Sequence, residues 1–567
     1  MAGEINQSLG QVKQCLNSRN SFVVEAGAGS GKTWTLIEAI KHLIHTQGYT
    51  LEKANQQITC ITYTNVAKDE IIKRIDNNSL VLVLTIHEFL WLVIKNYQKQ
   101  LKEEIIGYNN SDTKKPVENL DNKIQDLIID YSQYGRKFEK GKITHEDVLN
   151  FSSILFRKYP KLSHIVSNKF PFLFIDEYQD TEQRTVDLLL DDLLQANKDK
   201  IVLGFFGDSM QKIYNQGIGQ IPQKYFDDNI LELITKNENY RCSLKVIGLL
   251  AKIRPSLIQN PSGKNLKGEI NFIHCNNNLN SPENNYQTTL KFLKNKKGWV
   301  FEANTKEISA KILLLTHKGI ANKLGYEKLL AVYDILDFGR DRLFNKEELF
   351  SNFFLDKIEN LATFYQNKNY HDFIKQLGIE GFMLNSHDDK IKIKTLIDSL
   401  IELRENGSVR EVLEFIFSKN LLVKPLRLEE FEIEIQREDL DETITRKKKF
   451  YDSLMKIKYS EFILVNDFIE KYTPYSTKHG VKGDEYDNVL VVIDDYSWNQ
   501  YKFNDVFANN RTNIGRFDRT LNLLYVCCSR AKSNLVILSL SDMDNKAIGT
   551  INNWFGTENV YDILSLS

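Results

Sequence analysis

The sequence predicts an α/β protein with two parallel-sheet cores, each interrupted by a mainly helical insertion. Three observations carry this. Short apolar runs alternate with longer amphipathic ones in both halves of the chain. The alternation stops twice, in long polar stretches of helical character. The chain has 567 residues, more than one hydrophobic core can organise. With 42% hydrophobic and 26% charged residues, its composition is that of a folded protein and not of a disordered or fibrous one.

In the first half, 21–25, 58–62 and 80–84 read as buried strands, each followed by a helix. From about 91 to 169 the text is polar and helix-like, and 171–175 and 201–206 then resume the strand pattern. A second set of strands is expected at 269–273, 299–302, 312–315, 488–493 and 534–538. Between them 318–470 reads as helical, with an acidic stretch at 429–442 followed by the basic run 446–449. A charge run of that kind is either a solvated face or a contact to duplex phosphates. The expected domains are a first core at 1–90 and 170–245 with insertion 91–169, and a second core at 246–317 and 471–567 with insertion 318–470.

Lys plus Arg number 74 against 75 Asp plus Glu, so a nucleic-acid partner would need a local basic groove instead of a basic chain. Six cysteines without C-x-x-C spacing suggest buried thiols, and neither a disulfide framework nor a zinc site. No apolar run approaches the roughly 18 residues of a membrane span, and the first ten residues lack a signal-peptide pattern. The expected location is cytoplasmic, with no membrane partner.

The stretch 22–33 is an apolar strand, a glycine-rich turn and a helix start, the order of a Walker A loop. Gly27, Gly29, Ser30 and Gly31 let backbone N–H groups crowd around phosphate oxygens, Lys32 reaches the β- and γ-phosphates, and Thr33 can ligate Mg²⁺. Ala26 holds the first position, where glycine is usual. By itself this pattern says only nucleoside triphosphatase. Asp176 and Glu177 follow the apolar run 172–175, so Asp176 can hold the metal through a water while Glu177 orients or deprotonates the attacking water. The bland alternatives are a plain glycine turn and an acidic helix cap.

The run Asp-Glu-Tyr-Gln-Asp-Thr at 176–181 resembles motif II of the UvrD/Rep-type superfamily-one DNA helicases, and further motifs of that family follow in order. They are similar to the text at 62–67 and 85–89 (DNA-contacting motifs), 207–214 (motif III), 239–243 (motif IV), 477–486 (motif V) and 524–532 (motif VI). The resemblance implies two RecA-like P-loop cores, ATP and Mg²⁺ as cofactors, single-stranded and duplex-junction DNA as partners, and 3′-to-5′ travel. It also implies that Gln11 reads adenine, Tyr240 stacks on it, Glu485 accepts from the ribose, Gln211 senses the γ-phosphate, and Arg241 and Arg530 fork onto it. Trp34 stands where the family has an adenine-flanking arginine, and either supplies a π-face or packs under its helix. For DNA, Tyr63 and Tyr214 are the stacking candidates, with Thr64, Asn65 and His87 along the strand's path. The alternatives are surface salt bridges for the arginines, core packing for Tyr240 and Tyr214, and ordinary strand ends for the rest.

After Tyr214 the family continues with a bulky aromatic and an arginine, whereas here Asn215, Gln216 and Gly217 follow, which removes a stacking wall and a charge. Compact proteins of this kind resemble helicase subunits of bacterial anti-phage systems that pair with a nuclease, such as the Gabija type. The roughly 35 residues after motif VI are too few for a nuclease domain, so cleavage is expected from another chain. Two functions remain: a DNA helicase or translocase, and a regulatory ATPase or DNA-end sensor that gates a nuclease without processive unwinding. A metabolic P-loop kinase would leave Arg241, Arg530 and the DNA motifs without a role.

Overall fold

The computed structural model describes residues 7–111, 116–132, 136–212, 217–276, 281–301, 310–379, 386–437, 442–476 and 484–566. Tyr214 and most of the expected motif V, 477–483, lie outside the described residues. The chain divides into two compact units. The first comprises Met1–Asn277, Asp494–Val536 and Ser541–Asp562, and the second Asn278–Ile493, Ile537–Leu540 and Ile563–Ser567.

The first unit is organised by a six-stranded sheet in the order Val81–Thr85, Ile58–Thr62, Phe172–Asp176, Val202–Gly207, Phe22–Ala26, Glu232–Lys236. All its pairings are parallel, with Phe22 opposite Gly204 and Glu232, and Ile58 opposite Val81 and Phe172. Alternate side chains feed two separate cores, because successive strand residues point to opposite faces. Phe22, Val24, Phe174 and Phe206 pack with Val12, Leu36 and Ile40 of the helices Gln7–Ser18 and Lys32–Lys53. Val23, Leu173, Leu203 and Phe205 pack on the other face with Phe89, Phe151, Leu155 and Leu190. Burial on both faces is why these strands read as near-continuous apolar runs.

The stretch expected as a helical insertion is helical, with helices Gln98–Ser111, Leu120–Ile124, His145–Lys158 and Pro160–Lys169. Its Leu101, Ile105, Val148 and Phe151 belong to the same core as the sheet face, so it is not a loosely tethered module. Two strands of two residues, Asp130–Tyr131 and Lys142–Ile143, pair within it. Parallel strands end on one side, so the loops after Ala26, Thr62, Thr85, Asp176 and Gly207, where the motifs lie, open at one edge of the sheet. Also in this unit, Glu269–His274 pairs in parallel with Val560–Asp562.

In the second unit the strand Ala310–Leu314 lies between Tyr475–Ser476 and Tyr486–Ile493, all parallel. Its long insertion is helical and packs around Tyr333, Phe350, Phe354, Phe450, Tyr459 and Phe462. The expected strand at 299–302 is not formed across 299–301, and Glu302 lies outside the described residues. There, Gly298 closes the helix Pro282–Lys297 in a left-handed conformation (φ 67°), and the Trp299 N–H donates to Leu293 O at 3.1 Å. The apolar signal of Trp299 is a buried helix-end contact instead of a strand. The basic run lies on the helix Glu442–Leu454, where Arg446 makes a two-pronged contact to Asp337 and Lys447 pairs with Glu434, the solvated-face reading for those two residues. All six cysteines are buried thiols. Among the described residues, no helix is long and apolar enough to cross a membrane.

Candidate active site

The Walker loop is held by contacts from distant parts of the first unit. Gly31 is the N-cap of the helix Lys32–Lys53 with φ 77°, and it offers no side chain to cap the first turn. The first-turn N–H groups have no acceptor within the helix, so the end of the loop is positive and fit for an anion. Ser30 Oγ is buried without a hydrogen-bond partner, as expected of a hydroxyl in a phosphate cradle. The Ala28 N–H donates to Tyr525 Oη at 3.0 Å, while Ala28 O accepts from Asn239 Nδ2 at 3.0 Å and Gln259 Nε2 at 2.8 Å. Gly29 has φ 71°, and a Cβ there would lie 2.7 Å from the Arg241 side chain, so glycine is required by both conformation and contact.

Lys32 Nζ lies 2.7 Å from Glu177 Oε2. Burial would lower the lysine, but the carboxylates of Glu177, Asp176 and Asp208 outweigh it and hold Lys32 above its ordinary value. Glu177 adopts a left-handed backbone (φ 53°), a strained position for a residue with a side chain, immediately after the buried end of its strand. Its Oε2 also accepts from Gln179 Nε2 at 2.5 Å. Asp176 is 5% exposed, so the two carboxylates sit in different surroundings despite being adjacent.

Arg530 is 1% exposed, which excludes the surface salt-bridge reading for it. Its Nη2 donates to Gln211 Oε1 at 3.1 Å and to Ser529 Oγ at 2.9 Å. Burial, and then the like charge of Arg241, depress Arg530 to about 10, so it remains protonated at neutral pH. A buried guanidinium that feels the like charge of a half-buried one is a site that an anion would stabilise. Arg241 and Tyr240 are carried on the same turn, fixed by a Tyr240 N–H bond to Gly29 O at 2.9 Å and an Arg241 N–H bond to Asn239 Oδ1 at 2.9 Å. Tyr240 is 46% exposed, so it is not a core aromatic. Trp34 is 42% exposed, and both side chains border Gly31, where a Cβ would lie 3.8 Å from the Tyr240 ring and 3.9 Å from Trp34 Cβ.

The remaining expected residues are more dispersed. Gln11 is exposed on the helix Gln7–Ser18, and Glu485 is exposed beside the strand Tyr486–Ile493 in the second unit. Tyr63 and His87 line a cavity of about 550 Å³ at the carboxyl edge of the first sheet, together with His145, Asp180 and Arg184. The His87 and His145 rings lie 4.4 Å apart, and burial followed by the charge of His145 lowers His87 to about 4. Thr64 and Asn65 are exposed, but the Thr64 hydroxyl accepts from the Ala67 N–H at 3.2 Å as a helix N-cap, in line with the plainer reading. At Gly217 a Cβ would lie 2.4 Å from Gln179 O, so no side chain fits there.

Residues 6–127 and 94–221 match the UvrD/REP helicase N-terminal domain. The first 221 residues thus carry the likeness to the UvrD/REP helicase N-terminal domain. It is 26% identical to the Gabija protein GajB of Bacillus cereus (strain HuB5-5), over 95% of this chain and 96% of that protein. It is 22% identical to the ATP-dependent DNA helicase PcrA of Staphylococcus aureus (strain Mu50), over 91% of this chain and 80% of PcrA. It is 23% identical to a probable DNA helicase II homolog of Mycoplasma genitalium, over 95% of this chain and 85% of that protein.

The chain carries supporting residues that motif reading passed over. Glu25 stands in the strand before the Walker loop, Arg254 and Gln259 lie outside every motif, and Asn239 and Tyr525 lie within motifs as supports of the loop. A glutamate inside the apolar strand Phe22–Ala26 is the one signal in the sequence that a buried cation must lie nearby. Among the described residues no group of three or more His, Cys, Asp or Glu forms a metal cage. The donors at hand, the Thr33 hydroxyl and the Asp176 carboxylate, are hard oxygens that suit Mg²⁺, which takes few protein ligands and completes its shell from phosphate and water.

Proposed function

We propose that this protein hydrolyses ATP to travel 3′-to-5′ along single-stranded DNA, and that it works beside a nuclease in anti-phage defence. The observation that carries the hydrolytic reading is the convergence of Lys32, Glu177, Gln211 and Arg530 on the Walker loop of one compact unit. In this reading Lys32 exchanges Glu177 for the β- and γ-phosphate oxygens, and the released Glu177 takes the proton of the attacking water. Arg530 and Arg241 meet the charge that develops on the γ-phosphoryl group, with Gln211 fixed between Asp208 and Arg530. Thr33 and Asp176 would hold Mg²⁺, which when bound neutralises charge on the phosphate oxygens.

Trp34 and Tyr240 are assigned to the two faces of adenine, with Gln11 at its edge and Glu485 at the ribose. The exposed ring of Tyr63 and the cavity it shares with His87 support a path for bases at the carboxyl edge of the first sheet. Thr64, Asn65 and Tyr214 are assigned to the same path. The domain reading retains two RecA-like cores, 1–90 with 170–245 and 246–317 with 471–567, around the insertions 91–169 and 318–470. The defence role, and the nuclease, rest on the likeness to GajB along nearly the full length of both chains.

Gly217 favours keeping the regulatory alternative in view. No side chain fits there, and from 215 to 217 the chain lacks the bulky aromatic and the arginine of the family pattern. ATP turnover with and without single-stranded DNA, beside displacement of a labelled strand from a 3′-tailed duplex, tests both readings. DNA-stimulated turnover with displacement supports the helicase, stimulation without displacement supports the gate, and turnover indifferent to DNA overturns both.

A further inference from the structure

A second charged group lies behind the site, and the motifs do not account for it. Arg254, 3% exposed and following the helix Leu244–Ile253, sends Nη1 to Asp208 Oδ1 at 2.7 Å and Nη2 to Glu25 Oε1. Glu25 Oε1 also accepts from the Ser209 N–H at 3.1 Å and from Ser209 Oγ at 2.7 Å, while Glu25 Oε2 accepts from Tyr178 Oη. The other oxygen of Asp208, Oδ2, accepts from Gln211 Nε2 at 2.8 Å. The chain of contacts therefore runs Glu25, Arg254, Asp208, Gln211, Arg530, from the strand that leads into the Walker loop to the buried arginine of motif VI.

Hydrogen-bond polarity gives this order a purpose. A carboxylate only accepts, and a guanidinium only donates. Gln211 placed between the two has one workable orientation, Nε2 toward Asp208 and Oε1 toward Arg530. That orientation depends on Asp208 staying ionised in a buried position, where burial, only partly offset by the Arg254 charge, holds it above its ordinary value. A protonated Asp208 would offer Gln211 a donor where it now has an acceptor, and the amide could then turn.

We infer that Arg254, anchored by Glu25, is a positioning residue that sets the orientation of Gln211 and thereby of Arg530 in ATP hydrolysis. The inference rests on the proposed role of Gln211 at the γ-phosphate. Arg254 touches no reacting atom in this scheme, so its removal acts on turnover more than on nucleotide capture.

The test is a kinetic cycle on the full chain, with ATP turnover measured at saturating oligo(dT). Arg254→Met is expected to lower kcat about 10-fold or more with KM for ATP changed less than about 2-fold, the scale seen when a group that orients a direct contact is lost. Arg254→Lys keeps the charge but cannot reach Asp208 and Glu25 together, and its kcat is expected between the two. In the Gln211→Ala background, Arg254→Met is expected to cost nothing further. Equal losses in both backgrounds, or a KM rise matching the kcat loss, would overturn the inference while leaving Gln211 in its role. If Gln211→Ala itself leaves kcat unchanged, the reading of Gln211 fails, and this inference with it. Thermal melts accompany each variant, and if Arg254→Met does not fold, the same cycle with Arg254→Lys decides.

Discussion

Lys32 and Glu177 are each other's ion-pair partners, with Nζ and Oε2 2.7 Å apart. The lysine of the Walker loop and the glutamate that follows Asp176 thus neutralise one another in direct contact, a pairing that a phosphate oxygen would have to displace. Neither group can be altered without changing the surroundings of the other.

Lys32→Ala should abolish ATP turnover and weaken ATP binding, whereas Glu177→Gln should retain ATP while losing at least about 100-fold in kcat, since the amide cannot take a proton. Equilibrium binding of a fluorescent ATP analogue beside a turnover assay separates the two, and rapid hydrolysis by Glu177→Gln would remove the base assignment.

Tyr240→Ala should raise KM for ATP by roughly 2- to 10-fold, the effect of losing one aromatic stacking contact, with kcat nearly kept. The ring is half exposed, so its melting temperature should stay close to that of the unmodified chain. A large drop in melting temperature would point to a packing role instead.

His87 introduces a pH dependence of stability. Its value in the fold, about 4, lies below the ordinary 6.5, so the unfolded chain takes up a proton at a higher pH than the folded one. The stability held by neutral His87 is complete above pH 6.5 and is lost as pH falls from 6.5 toward 4. Denaturant titrations across that window should show a steeper decline for the native chain than for His87→Phe, and parallel curves would refute the assignment.

In the second unit, Arg404 and Glu359 form a buried pair, with Arg404 Nε 2.9 Å from Glu359 Oε1. Arg404→Leu strands a carboxylate in the core and should cost about 3–5 kcal/mol of unfolding free energy. The Walker loop lies in the other unit, so ATP affinity at low temperature should be unchanged, which calorimetry and binding measured together can establish.

The strands of the first sheet were legible because burial on both faces writes them as apolar runs, and the Walker loop because backbone N–H groups can reach phosphate only through glycines. Trp299 misled because an apolar residue beyond a helix-ending glycine carries the same local signal as a strand. The turn after Asp176 was readable as chemistry, but not the left-handed backbone of Glu177. Arg254 was invisible for a different reason: its partners Glu25 and Asp208 are brought to it by the fold, and nothing beside it in the chain announces them. Gln259 is equally silent, an ordinary glutamine until the Walker loop folds against it.

The hydrogen bond from the Ala28 amide to the Tyr525 hydroxyl joins residues 497 positions apart. During synthesis at about 5–20 residues per second, the nascent loop waits on the order of half a minute or longer before that support emerges from the ribosome. Until then the strand and helix around the loop can form, but the loop lacks one of its three clamps. A chain that has not yet presented Tyr525 is therefore expected to be a poor consumer of ATP, and the emergence of that residue, through the closure of a very long loop, becomes the event that licenses turnover.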